Sequence, residues 1–538
     1  MAETTGYGVP PAPDGPGRPT EDRSGRQRGN LADLVREAAA RVPDRLALVD
    51  GERRVPWSAL DADVDAFAAG VGRRGVQTGA RVLLVCENTV EFVVAYFGCL
   101  RAGAVAVPVN TTYTPEEIRR VAQDADASAV VVQGGALESV RAACADDEDV
   151  RVVVAGTEPT DGEVAFDDVL AEGRAATSGR VSPDSGGEDL AVMIYTAGTT
   201  GRPKGAMLSH RALLANLDQC LALDPPPVSP DDVVLVALPL FHIYGLNGAL
   251  GMVARTGATA VLVERFEPAE TLALVRTAGV TNVPAAPPMY VAWASRPDLA
   301  DALSGVRRLI CGAAPLPATV RDRVRDAVGQ PVYEGYGLTE TSPVVSTTLA
   351  SSRVKPGSVG RSVPGVEVRL VDEDGEDVEP GDPGEVWVRG ASLFSGYWPD
   401  GSGGPATEGW YATGDLAYAD EDGDLFLVGR HKELVLVSGF NVYPREVEDV
   451  LTGHPDVAEA AVVPVPHERT GEAVKAYVVP RTGARVTEDG LRDHYGPRLA
   501  RFKWPTVVEV VDALPHSLSG KVVKRLLRPA QPDAGGGA

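Results

Sequence analysis

A multidomain α/β and α+β fold is predicted from three observations. The chain is 538 residues long, short apolar runs alternate with amphipathic segments over most of it, and the texture changes after about residue 354. The length exceeds one ordinary domain, and the alternation is the mark of parallel sheets flanked by helices. The expected architecture is a large N-terminal domain with two parallel-type sheets and a β-barrel-like subdomain, followed by a small mobile α+β C-terminal domain. Its expected boundaries are a disordered tail at 1–28, the N-terminal domain at 29–429, a hinge at 430–432, the C-terminal domain at 433–530 and a second tail at 531–538.

The segment NLADLVREAAARV sets Leu31, Leu34, Val35, Ala38 and Val42 on one face, so an amphipathic helix is expected. SALDADVDAFAAGVGRRGV repeats the spacing with Leu60, Val64, Phe67 and Val71, and Gly72 and Gly75 stand near its end. RVLLVCEN is a continuous apolar run, the form of a parallel strand buried on both faces. Residues 92–109 are interrupted by Arg101 and contain Gly98 and Gly103, so they read as a buried helix passing into a strand rather than a membrane span. Further short apolar runs lie at 129–132, 151–156, 232–240, 259–264 and 307–313. GVEVRLVDEDGEDVEPGDPGEVWVRG then alternates apolar and polar residues around Gly, Asp and Pro turns, as antiparallel hairpins do. REVEDVLTGHPDVAEAAVVPVP and KAYVVP read as helix, strand and strand of the small unit. Residues 428–433 join the two regions, with Gly429 a candidate hinge.

A net charge of −24 argues against general nucleic-acid binding and against a cytoplasmic membrane surface, since both attract basic patches. Positive contacts to an anionic ligand must then be local. The five cysteines, Cys86, Cys99, Cys144, Cys220 and Cys311, show no C-x-x-C spacing and read as buried reduced thiols. Residues 1–28 have no apolar core and are neither signal peptide nor anchor. A soluble cytoplasmic monomer or homodimer, with no integral membrane association, is expected.

The chemistry begins at YTAGTTGRPKGAMLSH, residues 195–210. It is not G-x-x-x-x-G-K-[ST], because Lys204 stands three residues after Gly201 and Gly205 follows it. A strand at 189–195, this loop and the N-terminus of a helix after it would offer backbone N–H groups to phosphates. Thr196, Thr199 and Thr200 add hydroxyls and Lys204 a mobile charge, with Ala197, Gly198 and Gly201 completing the loop.

The loop resembles that of the adenylate-forming superfamily, which holds acyl-CoA synthetases, luciferases and peptide-synthetase adenylation domains. Further motifs of that family follow in order: LPLFHIYG at 238–245, ICGAAPLP at 310–317, YEGYGLTET at 333–341, YATGD at 411–415, GR at 429–430 and LPHSLSGKVVKRLL at 514–527. The resemblance covers residues 30–530 and is nearest to bacterial medium- and long-chain fatty acyl-CoA ligases. It implies that Tyr336 stacks on adenine, Thr339 contacts the α-phosphate, and Glu340, with Thr196, holds Mg²⁺. Glu334, Gly335 and Gly337 share the nucleotide motif with Tyr336. Asp415 and Arg430 would hold the ribose beside Phe426, and the backbone of Gly312, Ala313 and Ala314 would pass adenine and the acyl group. His242 would orient the acid in a pocket lined by Phe241, Tyr244, Gly245, Asn247, Met289, Gly312, Gly337 and Pro343, where Tyr244 would shorten the tunnel.

The implied reaction joins a carboxylic acid to ATP, releases pyrophosphate and passes the acyl group from acyl-AMP to coenzyme A. Lys521 would bridge the acyl carboxylate and the α-phosphate. The small domain would then rotate about Lys432 and bring Gly439 to the pantetheine channel, and Arg501, Lys503, Lys524 and Arg525 form a basic cluster suited to CoA. His516 departs from the threonine or lysine common in the family. Three alternatives stay open: loading of an acyl carrier protein, an aryl (cinnamate- or benzoate-like) acid as substrate, and a non-catalytic sensor of acyl-adenylate. Retention of Lys521, Glu340 and Lys204 argues against the last.

Overall fold

The computed structural model describes residues 29–145, 147, 149–176, 181, 185–196, 203–438, 440–467, 469–516 and 520–527. The two expected tails lie outside them.

Two large sheets build the N-terminal part. In the seven-stranded sheet Val164–Ala165, Arg151–Ala155, Ala127–Gln133, Arg81–Val85, Val105–Pro108 and Leu190–Thr196 run parallel, and Lys204–Ser209 closes one edge antiparallel. The nine-stranded sheet runs Arg361–Ser362, Val344–Thr347, Val332–Gly337, Arg308–Cys311, Asn282–Ala285, Val233–Val236, Thr259–Leu262, Leu46–Asp50 and Arg53–Pro56. Its six central strands are parallel, and its edges are antiparallel. The strands are apolar because helices cover them. Val90–Arg101, buried along nearly its whole length, is capped where Thr89 accepts the Phe92 N–H, and it passes into Val105–Pro108 as expected. Its one cation, Arg101, is fully buried and held by Asp61 at 2.7 Å and Asp65 at 2.9 Å.

The strand–loop–helix reading of residues 189–210 needs correction. The residues after the loop form the strand Lys204–Ser209, paired along its length with Leu190–Thr196, so the loop connects a β-hairpin. The helix starts only at His210, with Ser209 as its cap, after the full length of that strand. The sequence masked this because KGAMLS is short and runs directly into helical spacing. His210 is itself fully buried and its Nδ1 accepts the Leu31 N–H at 3.0 Å, which ties the start of the described chain to this helix.

Beyond residue 360 comes a four-stranded antiparallel meander, Val366–Val371, Gly384–Gly390, Tyr411–Ala419 and Leu425–Arg430. The barrel-like expectation is met as far as this open sheet, which is bridged to the large domain through Gly360 and Leu425. In the turn between its last two strands, Asp420, Asp422 and Asp424 surround the Lys355 ammonium at 2.6, 2.6 and 2.7 Å.

The smaller C-terminal domain has a five-stranded sheet. Phe440–Val442, Val435–Val437, Gly471–Pro480 and Val457–His467 pair in that order, and Val507–Val510 runs parallel beside Gly471–Pro480. Helices Pro444–Thr452 and Glu488–Tyr495 supply Val447, Leu451, Leu491 and Tyr495 to its core. Four of the five cysteines are buried and all five are free thiols. Among the described residues no helix is long and apolar enough to cross a membrane.

Candidate active site

Four neighbouring parallel strands of the large sheet end on one side, and the motifs follow their carboxyl ends. His242 comes after Val233–Val236, Met289 after Asn282–Ala285, Gly312 to Ala314 after Arg308–Cys311, and Thr339 and Glu340 after Val332–Gly337. Ligands of open α/β sheets bind beyond this end. Two turns here hold non-glycine residues in the left-handed region, Ala313 at φ 75° and Ser342 at φ 69°. Such strain persists only where the surroundings fix it, and it gathers at functional sites.

The first group joins the large sheet to the meander. The Tyr336 hydroxyl donates to Asp415 Oδ2 at 2.7 Å, and Arg430 Nε donates to Asp415 Oδ1 at 3.0 Å. Tyr336 and Asp415 are buried, whereas Arg430 is exposed. Burial and the neighbouring Asp415 charge push the Tyr336 phenol well above its usual value, so it remains a donor. Phe426 lies on the strand that ends at Arg430 and stacks on Tyr418, with centroids 4.9 Å apart. Glu334 is buried, which raises its carboxyl, while Arg321 and the Leu316 N–H oppose the shift.

The second group surrounds Glu340. The hydroxyl of Tyr397 donates to Glu340 Oε1 at 2.5 Å, and the Lys204 ammonium lies 5.2 Å from the centroid of the Tyr397 ring. Lys204 pairs across the hairpin with Thr196, and its ammonium and the Glu340 carboxylate both meet the Tyr397 side chain. Burial, then the Glu340 charge, push the Tyr397 phenol well above its usual value. Sequence reasoning missed Tyr397. The only signal was the aromatic pair in SGYWPD, which reads as a turn.

The third group is the acyl side. Tyr244 opens a π-helical segment, Tyr244–Gly251, a geometry enriched at functional sites. Its ring packs so closely on Gly312 and Gly248 that a Cβ at either would come within 3.0 and 2.8 Å of it. Asn247, expected in the pocket, is instead a buried tie: its amide donates to Leu213 O at 3.1 Å and Ser342 O at 2.7 Å. Gly337 is required by the backbone, since a Cβ there would stand 1.9 Å from Pro343 O. Gly245 is similar, 2.4 Å from Pro239 O. Phe241 is half-buried, and Met289 and Pro343 are buried. His242 Nδ1 accepts the Tyr244 N–H at 3.2 Å, and burial, then the Lys521 charge, lower its pKa to about 4.

Lys521 comes to this site from the C-terminal domain. Gly520, at φ 81°, seats against Pro288, whose Cγ would lie 2.3 Å from an added Cβ. The Lys521 side chain is solvent-accessible, yet the protein around it strips enough water to lower its ammonium. Arg430 adds to that shift, while Asp415, Glu340 and Glu433 oppose it. Charged groups of all three regions thus come within electrostatic reach of one another.

Ala197, Gly198, Thr199, Thr200, Gly201 and Gly439 lie outside the described residues. Lys432 is exposed on the single turn His431–Glu433. The expected basic cluster does not form. Lys503 pairs with Glu446 at 2.6 Å, and Lys524 with Glu448 at 2.7 Å and Glu433 at 3.2 Å. Those carboxylates lie far away in sequence. Arg501 instead covers the Trp504 ring at 5.5 Å, beside a groove of about 510 Å³ that also takes in Phe440, Phe502, Arg469 and His467.

Comparison with known proteins gives the family. Residues 35–398 match the AMP-binding enzyme family, and residues 446–521 match the AMP-binding enzyme C-terminal domain. A long-chain-fatty-acid–CoA ligase of Yersinia pestis is 35% identical, over 93% of this chain and 94% of its own. 4-Coumarate–CoA ligase 3 of Oryza sativa subsp. japonica is 35% identical over 91% of this chain and 90% of its own. The crystal structure of ATP-bound MatB from Rhodopseudomonas palustris superposes with a TM-score of 0.84 at 33% identity, over 92% of this chain and 98% of that one. The chain belongs to the adenylate-forming acyl-CoA ligase family.

Proposed function

We propose that this chain activates a carboxylic acid with ATP to acyl-AMP and pyrophosphate, then transfers the acyl group to coenzyme A. The observation that carries the reading is that Lys521, from the C-terminal domain, lies within electrostatic reach of Glu340, Asp415 and Arg430 of the large one. A carboxylate and a triphosphate repel each other, so their union needs fixed positive charge aimed at both. The Lys521 ammonium bridges the acyl carboxylate and the α-phosphate. Lys204 and the threonine loop take the phosphates that leave. Asp415 has lone pairs left to accept the ribose hydroxyls beside Arg430. His242, neutral above about pH 4, orients the acid without adding charge.

The residues also fit Mg²⁺. Glu340 and Thr196 offer few donors, all hard oxygens, and this cation keeps several waters and completes its shell with substrate phosphates. Bound there it would neutralise phosphate charge. For the second step the C-terminal domain rotates about residues 430–432, withdraws Lys521 and brings residues 437–444 to the site. Gly429 has φ 153°, a conformation open chiefly to glycine, which supports a pivot at this point. The groove edged by Arg501 and Arg469 supports a phosphate-bearing acceptor such as CoA.

The acid is a medium- or long-chain fatty acid, as the name of the Yersinia pestis relative supports. A second reading, an aryl acid, is favoured by the Tyr244 ring between Gly248 and Gly312, which narrows the space for a chain. A panel of C2 to C18 and aryl acids with ATP and CoA, read by mass spectrometry, tests both. Acyl-CoA from no acid, with acyl-AMP accumulating, would transfer the acceptor role to a carrier protein. No pyrophosphate with any acid would overturn the reading.

A further inference from the structure

Residues 395–398 run beside the hairpin strand Lys204–Ser209. The Ser395 N–H donates to Met207 O at 2.9 Å, Met207 N–H to Gly396 O at 3.0 Å and Trp398 N–H to Gly205 O at 2.8 Å. Tyr397 is thereby fixed opposite Ala206, with its hydroxyl on Glu340 at 2.5 Å and its ring 5.2 Å from the Lys204 ammonium. Phe394 packs edge-on against that ring at 5.1 Å. Next to it, Trp398 is anchored by its Nε1 to Asp124 O at 2.8 Å and lies under the Arg81 guanidinium at 5.3 Å.

We propose that Tyr397 is a positioning residue for acyl-adenylate formation, holding Glu340 and Lys204 at the two ends of one side chain until the triphosphate draws the lysine away. The proposal rests on the adenylation reading above. A neutral hydroxyl that ties one carboxylate oxygen fixes the group's direction without neutralising it, so the second oxygen stays available to a cation. A lysine over a half-buried aromatic face, 5.2 Å from its centroid, is held weakly enough to exchange the ring for a phosphate. One residue thus presets both the metal-binding carboxylate and the phosphate-binding ammonium, which lie 136 positions apart in the chain.

The test is calorimetric binding of ATP at increasing Mg²⁺, without acid, so that no turnover occurs. Tyr397→Phe keeps the ring and removes the hydroxyl, and the Mg²⁺ needed for half-maximal ATP binding should rise roughly tenfold, as for a lost hydrogen bond to a charged group. Tyr397→Leu removes the ring as well, so Lys204→Met should weaken ATP binding by a smaller factor in that background than in the wild type. Superimposed Mg²⁺ titrations of Tyr397→Phe and wild type would overturn the role, and so would an equal effect of Lys204→Met in both backgrounds. The adenylation reading fails by a separate signal: wild-type protein that binds Mg²⁺ and ATP but releases no pyrophosphate with any acid.

Discussion

Lys521 is the residue whose loss should separate the two half-reactions. Lys521→Ala should lower acid-dependent pyrophosphate release about a hundredfold or more, as expected when one preorganised donor to developing charge is removed. Thioester formation from supplied acyl-AMP should persist, because the proposed rotation withdraws Lys521 before that step; a parallel loss of both, measured by quench-flow, would deny it the specific role. The residues proposed for the site could be named from the sequence, because the proposed chemistry asks for particular groups: a carboxylate for ribose, a lysine on a Gly loop, small residues beside adenine. Tyr397 was not legible. Its meaning comes from Glu340 and Lys204, distant in sequence, and the residue itself looks like part of a turn. Lys503 and Lys524 misled for the same reason, since a sequence shows a charge but not the glutamate that answers it. For Asn247 the sequence did not show that its amide ties Leu213 to Ser342.

Among the elements, the hairpin and the helix behind it set how the site meets the rest of the fold. His210 begins that helix, fully buried, and burial holds its pKa at about 4 instead of the ordinary 6.5. The unfolded chain therefore binds a proton between about pH 6.5 and 4 that the folded chain refuses. Stability should fall as pH drops through that window, by up to about 3 kcal/mol from this group, and its contribution should level off below the window. His210→Gln keeps an acceptor for the Leu31 N–H but does not titrate. Urea unfolding midpoints at pH 7 and 4.5 should therefore differ less in that variant than in wild type. The strands of both parallel sheets were readable as continuous apolar runs because helices bury both faces. The hairpin was not, since six residues of modest alternation cannot outweigh the helical period that follows them.

For the whole molecule, the contact of Gly520 with Pro288 ties the C-terminal domain to the large one, in the arrangement proposed here to make acyl-AMP. A Cβ built on Gly520 lies 3.8 Å from Pro288 Cβ, the usual separation in a disulfide. Pro288→Cys with Gly520→Cys, oxidised, should hold the domains together: acyl-AMP should still form, thioester should not, and reductant should restore it. The new cysteine at positive φ will cost about 1 kcal/mol, so the reduced double variant is the reference. Thioester formation at an undiminished rate in the oxidised form would show that no rotation is required.

The Lys355 ammonium among Asp420, Asp422 and Asp424 bears on how every metal experiment here is interpreted. Among the described residues this is the cluster of three acidic groups close enough to grip an ion, and the chain has filled it with a cation of its own. The meander turn therefore has no call on dissolved divalent ions. EDTA should leave the melting midpoint where it was while adenylation stops. Chelation then separates the metal demand of the proposed reaction from that of the scaffold, an ambiguity that attends enzymes whose folds also need calcium.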